Sequence, residues 1–134
     1  AKSMPNVIWQ GRIPYNQTLQ LSYRADLLFA TYDPAFPNHR YSSPNKVFEA
    51  MMLGKPIVVA RHTNMDSIVE KANCGIVVDY GDEVSLYSAL ELLANNPRLR
   101  EELGSNARQA YVESYSWAIM ESRLLSLYRI LIGK

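Results

Sequence analysis

The chain has 134 residues, of which 48% are hydrophobic and 20% are charged, a composition typical of a folded domain with a buried core. Its 14 basic and 13 acidic residues nearly cancel, and the basic residues are scattered, so charge gives no basis for a nucleic-acid partner. Cys74 is the only cysteine, which excludes an internal disulfide and favours a reducing compartment. Because the neighbours of Cys74 in the sequence are small, we interpret it as a packing residue and not as a nucleophile.

The first 80 residues alternate between apolar runs and helical patterns. Four runs are predicted to be strands, at Val7 to Gln10, Leu27 to Thr31, Pro56 to Ala60 and Gly75 to Tyr80. Helices are predicted between them, at Tyr15 to Ala25, Ser43 to Leu53 and Asn64 to Asn73. In the second helix Ser43 is the expected N-cap, Pro44 takes the first helical position, and Gly54 ends the helix.

After Asp82 the pattern is helical only. Apolar residues recur at helical spacing from Leu86, a second helix begins at Asn96-Pro97, and a third runs from Trp117 to Ile132. We expect Trp117 and Tyr128 of the last helix to be core residues. Strands that alternate with amphipathic helices predict an α/β fold, in which a parallel sheet is covered on both faces.

Ligands of such sheets bind beyond the carboxyl ends of the strands, so the loops that follow the strands are the candidate binding loops. The longest of these loops runs from Tyr32 to Asn45 and leads into a predicted helix. Unpaired N–H groups at the helix start, the hydroxyls of Ser42 and Ser43, and the cation of Lys46 would together attract an anion. Glu49 follows Lys46 on the same helical face and could bind ribose hydroxyls, as a nucleoside diphosphate would require. The alternative interpretation is an ordinary helix start with a solvated ion pair.

The run from Ser43 to Val59 contains Phe48-Glu49-Ala50-Met51 and then Gly54-Lys55-Pro56. It resembles the donor-site segment of retaining GT-B glycosyltransferases of the group 1 type. Three later segments agree in order, namely Gly75 to Asp82, Asn96 to Arg108 and Tyr115-Ser116-Trp117. The resemblance covers nearly the whole chain. It implies that residues 1–134 form one Rossmann-like domain, part of a nucleotide-sugar-binding domain that continues beyond this chain.

The resemblance also assigns roles at the site. The family's glutamate at the position of Glu49 binds ribose hydroxyls, the segment Ser42, Ser43, Asn45 and Lys46 meets the diphosphate, and the turn Gly11, Arg12 and Ile13 lies against the base. The substrate would be a UDP- or GDP-linked sugar, with no separate cofactor, and its sugar would pass to an acceptor hydroxyl. No catalytic residue is identified, and the spacing of histidines and carboxylates predicts no metal site.

The chain departs from the family pattern in three ways. Tyr41 stands where many relatives have a further glutamate, and the turn from Arg61 to Asp66 replaces a glycine-rich loop. The third departure is the absence of two βα units and of the acceptor-binding N-terminal domain. We therefore expect this chain alone to bind donor weakly and to transfer nothing. In the family the last helix packs back toward the N-terminal domain, so the resemblance implies that this helix could be apolar and exposed here. The lost strands predict an unpaired sheet edge, with the Val7 strand displaced or another chain, such as a second copy, pairing there.

Three further residues have open interpretations. His39 and His62 could contact the donor or simply be solvated, and Arg61 could bind phosphate or pair with Asp66 or another acid. Two alternative functions also stay open, a nucleotide-sugar epimerase of the same fold and a non-catalytic α/β interaction module. No apolar run approaches the ~20 residues that span a bilayer, so a cytoplasmic protein is expected. Peripheral membrane attachment is common in the family and is a further option.

Overall fold

The computed structural model describes residues 4–41 and 45–133 of the chain. Its three strands are β1 (Leu28–Ala30), β2 (Ile57–Ala60) and β3 (Gly75–Val78). Its seven α-helices in this described part are α1 (Tyr15–Arg24), α2 (Pro37–Tyr41), α3 (Asn45–Leu53), α4 (Met65–Ala72), α5 (Glu83–Asn95), α6 (Pro97–Ala110) and α7 (Trp117–Ile132). A short π-helix, Tyr111–Tyr115, connects α6 to α7.

The strands form one parallel sheet in the order β1-β2-β3, which confirms the predicted α/β, Rossmann-like fold class. All four residues of β2 are fully buried, as expected for the central strand of a sheet covered on both faces. Gly75 begins β3 opposite Ile57. A Cβ atom at this position would overlap the carbonyl group of Ile57, so close pairing of the two strands requires glycine here.

Each face of the sheet packs against its own layer of helices, because alternate side chains of a strand point to opposite faces. Ile57 and Val59 face a cluster with α3 and α4 that includes Val47 and Met51. Val58 faces the other cluster, to which α5 contributes Ala89 and Leu93 and α6 contributes Leu103. Phe29 of β1 is level with Val58 but is 60% exposed, so the helical layer ends before it reaches the edge strand.

The prediction of a fourth strand at Val7 to Gln10 is wrong. These residues are irregular and exposed, and the indole of Trp9 is 88% exposed. A strand needs a neighbouring strand to satisfy its N–H and C=O groups, and this segment pairs with none of the three strands of the described sheet. The N–H of Val7 instead donates a local hydrogen bond of 3.1 Å to the carbonyl oxygen of Met4.

Local sequence signals set most helix boundaries correctly. Oδ1 of Asp82 accepts hydrogen bonds from the N–H groups of Val84 and Ser85, both at 3.1 Å, and so caps α5. Asn96 caps α6 in the same way, accepting from the N–H of Leu99 at 3.0 Å. Gly54 takes a left-handed φ of +65° just after α3, the conformation expected of a terminating glycine. The predicted N-cap Ser43, with Pro44, lies outside the described residues.

The last helix forms as predicted, but the expectation that its aromatic residues are core is wrong. Trp117 is 70% exposed and Tyr128 is 53% exposed. The helical spacing of apolar residues correctly predicts an apolar helix. Among the described elements, the π-helix packs most against it, and Trp117 and Met120 near its start line a groove. None of the helices in the described ranges is both long enough and apolar enough to cross a membrane.

Candidate functional site

The candidate site surrounds the first two turns of α3. This helix follows the loop that leaves the carboxyl end of β1, the edge of a parallel sheet at which ligands bind. Asn45 is its first described helical residue and is exposed. The N–H groups of a first turn have no partners within their own helix, and the helix dipole adds positive potential there. The start of α3 is therefore suited to a negatively charged ligand group.

Lys46 and Glu49 lie next to each other on α3. Nζ of Lys46 is 3.9 Å from Oε2 of Glu49, and the side chains are 34% and 12% exposed, respectively. The carboxylate is thus largely enclosed while the ammonium group reaches solvent. A partly exposed pair of this kind adds at most about 1 kcal/mol to stability, so stability alone does not explain the pairing.

Tyr15 completes this cluster from a different helix. Its hydroxyl donates a hydrogen bond of 3.0 Å to Oε1 of Glu49. Accepting this bond, the carboxylate raises the pKa of Tyr15, so the phenol stays protonated and remains a donor. Sequence reasoning missed this contact, because 34 residues separate the partners and no local pattern links them.

A groove of about 400 Å³ opens beside Glu49. Its wall is mainly aromatic, and the rings of Phe48 and Tyr115 lie with centroids 5.5 Å apart. The residues that line it come from α1, α3, the π-helix and α7, and they are Tyr15, Asn45, Phe48, Glu49, Met52, Tyr111, Tyr115, Trp117 and Met120. An apolar wall with a few polar groups at one side is the usual composition of a small-molecule site.

The predicted base-binding turn lies just before α1. Gly11 has a left-handed φ of +64°, Arg12 is exposed and Ile13 is half-buried. The turn is two residues from Tyr15 along the chain and therefore ends close to the residue that contacts Glu49. Ser42 and Ser43, predicted to meet a diphosphate, lie outside the described residues.

The turn after β2 is held by polar contacts of its own. His62 and Asn64 both have left-handed φ angles, of 63° and 60°, at positions where the sequence offers no glycine. Oδ2 of Asp66 accepts a hydrogen bond of 2.7 Å from the N–H of His62 and so fixes the turn. The side chain of His62 is exposed.

Arg61 precedes this turn and pairs with acids. Its Nε lies 3.1 Å from Oδ1 of Asp79, and its Nη1 lies 3.5 Å from Oε1 of Glu70. Of the two interpretations of Arg61, the structure shows pairing with nearby acids, although Asp66 is not one of them. Two carboxylates around one guanidinium leave little net positive charge for a phosphate.

His39 is half-buried and packs against two aromatic rings. It lies in α2, where its Nδ1 is 3.0 Å from the carbonyl oxygen of Asp33. Its ring lies 5.2 Å from that of Tyr32 and 5.5 Å from that of Phe36, measured between centroids. His39 is therefore in a short helix and not in an irregular loop, and a contact with the donor stays a prediction.

Comparison with known proteins identifies the family. The chain is 31% identical over 93 residues to the capsular polysaccharide biosynthesis glycosyltransferase CapM of Staphylococcus aureus, covering 69% of this chain and 24% of CapM. It is 30% identical over 95 residues to the D-inositol 3-phosphate glycosyltransferase of Saccharomonospora viridis, covering 71% of this chain and 22% of that protein. It is 27% identical over 84 residues to the lipopolysaccharide core biosynthesis glycosyltransferase LpsD of Rhizobium meliloti, covering 63% of this chain and 24% of LpsD.

This chain thus spans about a quarter or less of the length of these relatives. No solved structure matches it significantly. The sequence profile of glycosyl transferases group 1 matches residues 2–110, which include every predicted site residue and all three strands. The chain belongs to the glycosyl transferases group 1 family.

Proposed function

We propose that this chain is the donor-binding part of a longer, retaining glycosyltransferase of GT-B architecture. Glu49 accepts hydrogen bonds from the ribose hydroxyls of a nucleotide-sugar. Lys46, with Asn45, Ser42 and Ser43, meets the diphosphate. The turn Gly11, Arg12 and Ile13 lies against the base.

The observation that carries this proposal is the arrangement of Lys46 and Glu49 on the first two turns of α3. A lysine near the positive end of a helix dipole is unfavourable by itself, and a bound diphosphate reverses that sign. The side chain of Glu49 is 12% exposed, so its carboxylate is mostly shielded from water and its hydrogen bonds to a ligand are correspondingly stronger. The cation of Lys46 suits the diphosphate, and the enclosed carboxylate of Glu49, about one helical turn away, suits the ribose hydroxyls.

In the transfer reaction the bond between the sugar and the diphosphate breaks, and negative charge develops on the departing diphosphate. Lys46 and the N–H groups at the start of α3 would stabilise that charge. The acceptor hydroxyl must be bound by another part of the protein, because the chain spans about a quarter of its relatives. We therefore propose that the chain alone binds donor weakly and transfers no sugar.

The relatives include enzymes named for capsular polysaccharide and for lipopolysaccharide core biosynthesis. On this basis we propose that the acceptor is a hydroxyl of a polysaccharide or a lipopolysaccharide.

The test is a calorimetric titration of UDP, GDP and their sugar conjugates into the chain, repeated on the longer protein. Replacing Glu49 by Ala should weaken nucleotide binding by roughly 10-fold to 100-fold, the loss expected for hydrogen bonds to a charged group. Glu101→Ala, which removes an exposed carboxylate of α6, is the charge-matched control and should leave affinity unchanged. If the longer protein binds neither nucleotide, or if Glu49→Ala binds as tightly as the control, the proposal is wrong.

A further inference from the structure

We propose that Tyr15 is a positioning residue for Glu49, holding its carboxylate in the orientation that receives the ribose hydroxyls of the donor. This inference rests on the proposed function, because it concerns the same carboxylate. It adds a residue from a different helix, one that the family's donor segment in α3 does not contain.

The first step is the way in which the carboxylate is fixed. One oxygen, Oε1, accepts from the hydroxyl of Tyr15 at 3.0 Å, and the other, Oε2, lies 3.9 Å from Nζ of Lys46. A glutamate side chain has several rotatable bonds, and its freedom must be lost when a ligand binds. A carboxylate already oriented by one hydrogen bond and a nearby cation loses less on binding, which favours affinity.

The second step is that the hydrogen bond from Tyr15 leaves room for the ligand. The two oxygens of an ionised carboxylate offer about four acceptor positions in all. The phenol occupies one of these on Oε1, so both oxygens keep acceptor capacity for the vicinal 2′- and 3′-hydroxyls of a ribose. The phenol therefore orients the carboxylate without consuming it.

The third step is the position of Tyr15 in the chain. It is the first residue of α1 and lies two residues after Ile13, the end of the proposed base-binding turn. Its contact with Glu49 is thus a direct link between that turn and α3. The same hydrogen bond would fix the distance between the base contacts and the ribose contacts.

The test compares Tyr15→Phe with Tyr23→Phe in the longer protein, titrated with UDP or GDP, whichever binds more tightly. Tyr23 is on the same helix and is 65% exposed, so its variant makes the same chemical change away from Glu49. Tyr15→Phe should raise the Kd about threefold to tenfold, the order expected when a side chain that was already oriented must instead be ordered on binding. The control should bind like the parent protein.

A second readout separates positioning from a general loss of structure. The 2′,3′-dideoxy analogue of the same nucleotide cannot donate to Glu49, so its Kd should barely change in Tyr15→Phe. In a Glu49→Ala background, which removes the acceptor of the Tyr15 hydroxyl, the Tyr15→Phe change should likewise have little further effect on the Kd of the ribonucleotide.

The outcomes are distinguishable from failure of the proposed function. If Glu49→Ala weakens binding but Tyr15→Phe behaves like its control, only the positioning role is wrong. If Tyr15→Phe weakens the dideoxy analogue equally, the residue supports the fold and not the carboxylate. Tighter binding of the ribonucleotide by Tyr15→Phe would mean that the phenol competes with ribose, which also overturns the inference.

Discussion

At the scale of single residues, burial and hydrogen bonding change the chemistry of two side chains outside the candidate site. Cys74 is fully buried between α4 and β3, and loss of solvation raises the pKa of its thiol to about 11 from an ordinary 9.0. The thiolate is the nucleophilic form of cysteine, so a raised pKa and a closed environment both suppress its reactivity.

We predict that Cys74 reacts with a disulfide reagent such as DTNB at pH 8 at least about 100-fold more slowly in the folded protein than in denaturant. The factor follows from the difference between a pKa of about 11 and one of 9.0, before access is considered. Glutathione, measured alongside, controls for the effect of denaturant on the reagent. Equal rates in the folded and unfolded protein would contradict the assignment of Cys74 as a packing residue.

Asp82 is affected in the opposite direction. The N–H of Ser85, and then the hydroxyl of Ser85, lower the pKa of this carboxyl from its ordinary 3.8. Its charged form therefore stabilises the folded state above pH 3.8, and this contribution is lost as the pH falls through the lowered pKa.

We predict that Asp82→Asn loses less stability than the parent protein between pH 5 and pH 2. Asparagine retains the cap, since its side-chain oxygen also accepts from backbone N–H groups, but it does not titrate. Urea unfolding at a series of pH values measures the difference. Parallel stability curves for the two proteins would show that the cap contributes no pH dependence.

At the scale of elements, the close contact between α3 and α6 depends on glycine. Gly104 lies in the middle of α6, where a Cβ atom would overlap the carbonyl oxygen of Gly54 at the end of α3. Glycine is a poor residue for a helix interior, costing about 1 kcal/mol relative to alanine. The glycine at position 104 is explained by the close approach of the backbone of α6 to the backbone at Gly54.

We predict that Gly104→Ala lowers the free energy of unfolding by about 1–3 kcal/mol, because the strain of separating the two helices exceeds the gain in helix propensity. Ser105→Ala at the exposed neighbouring position should change it by about 0.5 kcal/mol or less. Chemical denaturation of both variants tests this. A stabilised Gly104→Ala would mean that α6 can move away from Gly54 at no cost.

Elements specified by nearby residues were predictable from sequence. The predicted helix starts after Asp82 and at Asn96-Pro97 and the predicted stop at Gly54 each depend on atoms a few residues apart, and the structure confirms all three. The run at Val7 has the apolar character of a strand, but a strand also depends on a partner that no local pattern reveals. Its prediction failed for that reason.

In the candidate site, too, contacts between residues close in sequence were predictable, and contacts between distant residues were not. The spacing of Lys46 and Glu49 along one helix predicted that they would be neighbours, and they are. The contact between Tyr15 and Glu49, and the aromatic groove beside it, join residues from separate helices. Only the packing of α1 and the π-helix against α3, with α7 following the π-helix, brings these groups together, so their sequence spacing contained no signal.

At the scale of the whole molecule, the chain exposes more surface than its size requires. Its accessible surface is 9626 Å², whereas a compact monomer of this length exposes about 7,100 Å². The excess of about 2,500 Å² is comparable to a large protein–protein interface. Much of it is apolar, on α7 and on residues 4–9, which is consistent with a chain that spans about a quarter of its relatives.

We predict that the isolated chain self-associates through α7, and that the double variant Ile130→Lys/Leu131→Glu reduces this association. These side chains are 78% and 72% exposed, so at concentrations where both proteins are monomeric the charged replacements should leave the Tm within about 2 °C of the parent value. Sedimentation velocity and thermal melting measure the two effects.

Leu103→Glu is the contrasting variant for that experiment. Leu103 is 4% exposed, and a carboxylate at its position should unfold the chain. A large fall in Tm for the Ile130/Leu131 variant would show instead that α7 is packed in solution.

The exposed ring of Phe29 has a consequence for the candidate site. Within the described sheet, β1 pairs on one side only, with β2. A further βα unit on its other side would pair its strand with β1 and cover Phe29 with its helix, and that strand would also end at the same edge as β1. Its following loop would then emerge beside the loop that leads from β1 to α2 and α3. The segment that completes the sheet would therefore also extend the binding surface, so stability and ligand affinity should be gained together when it is present.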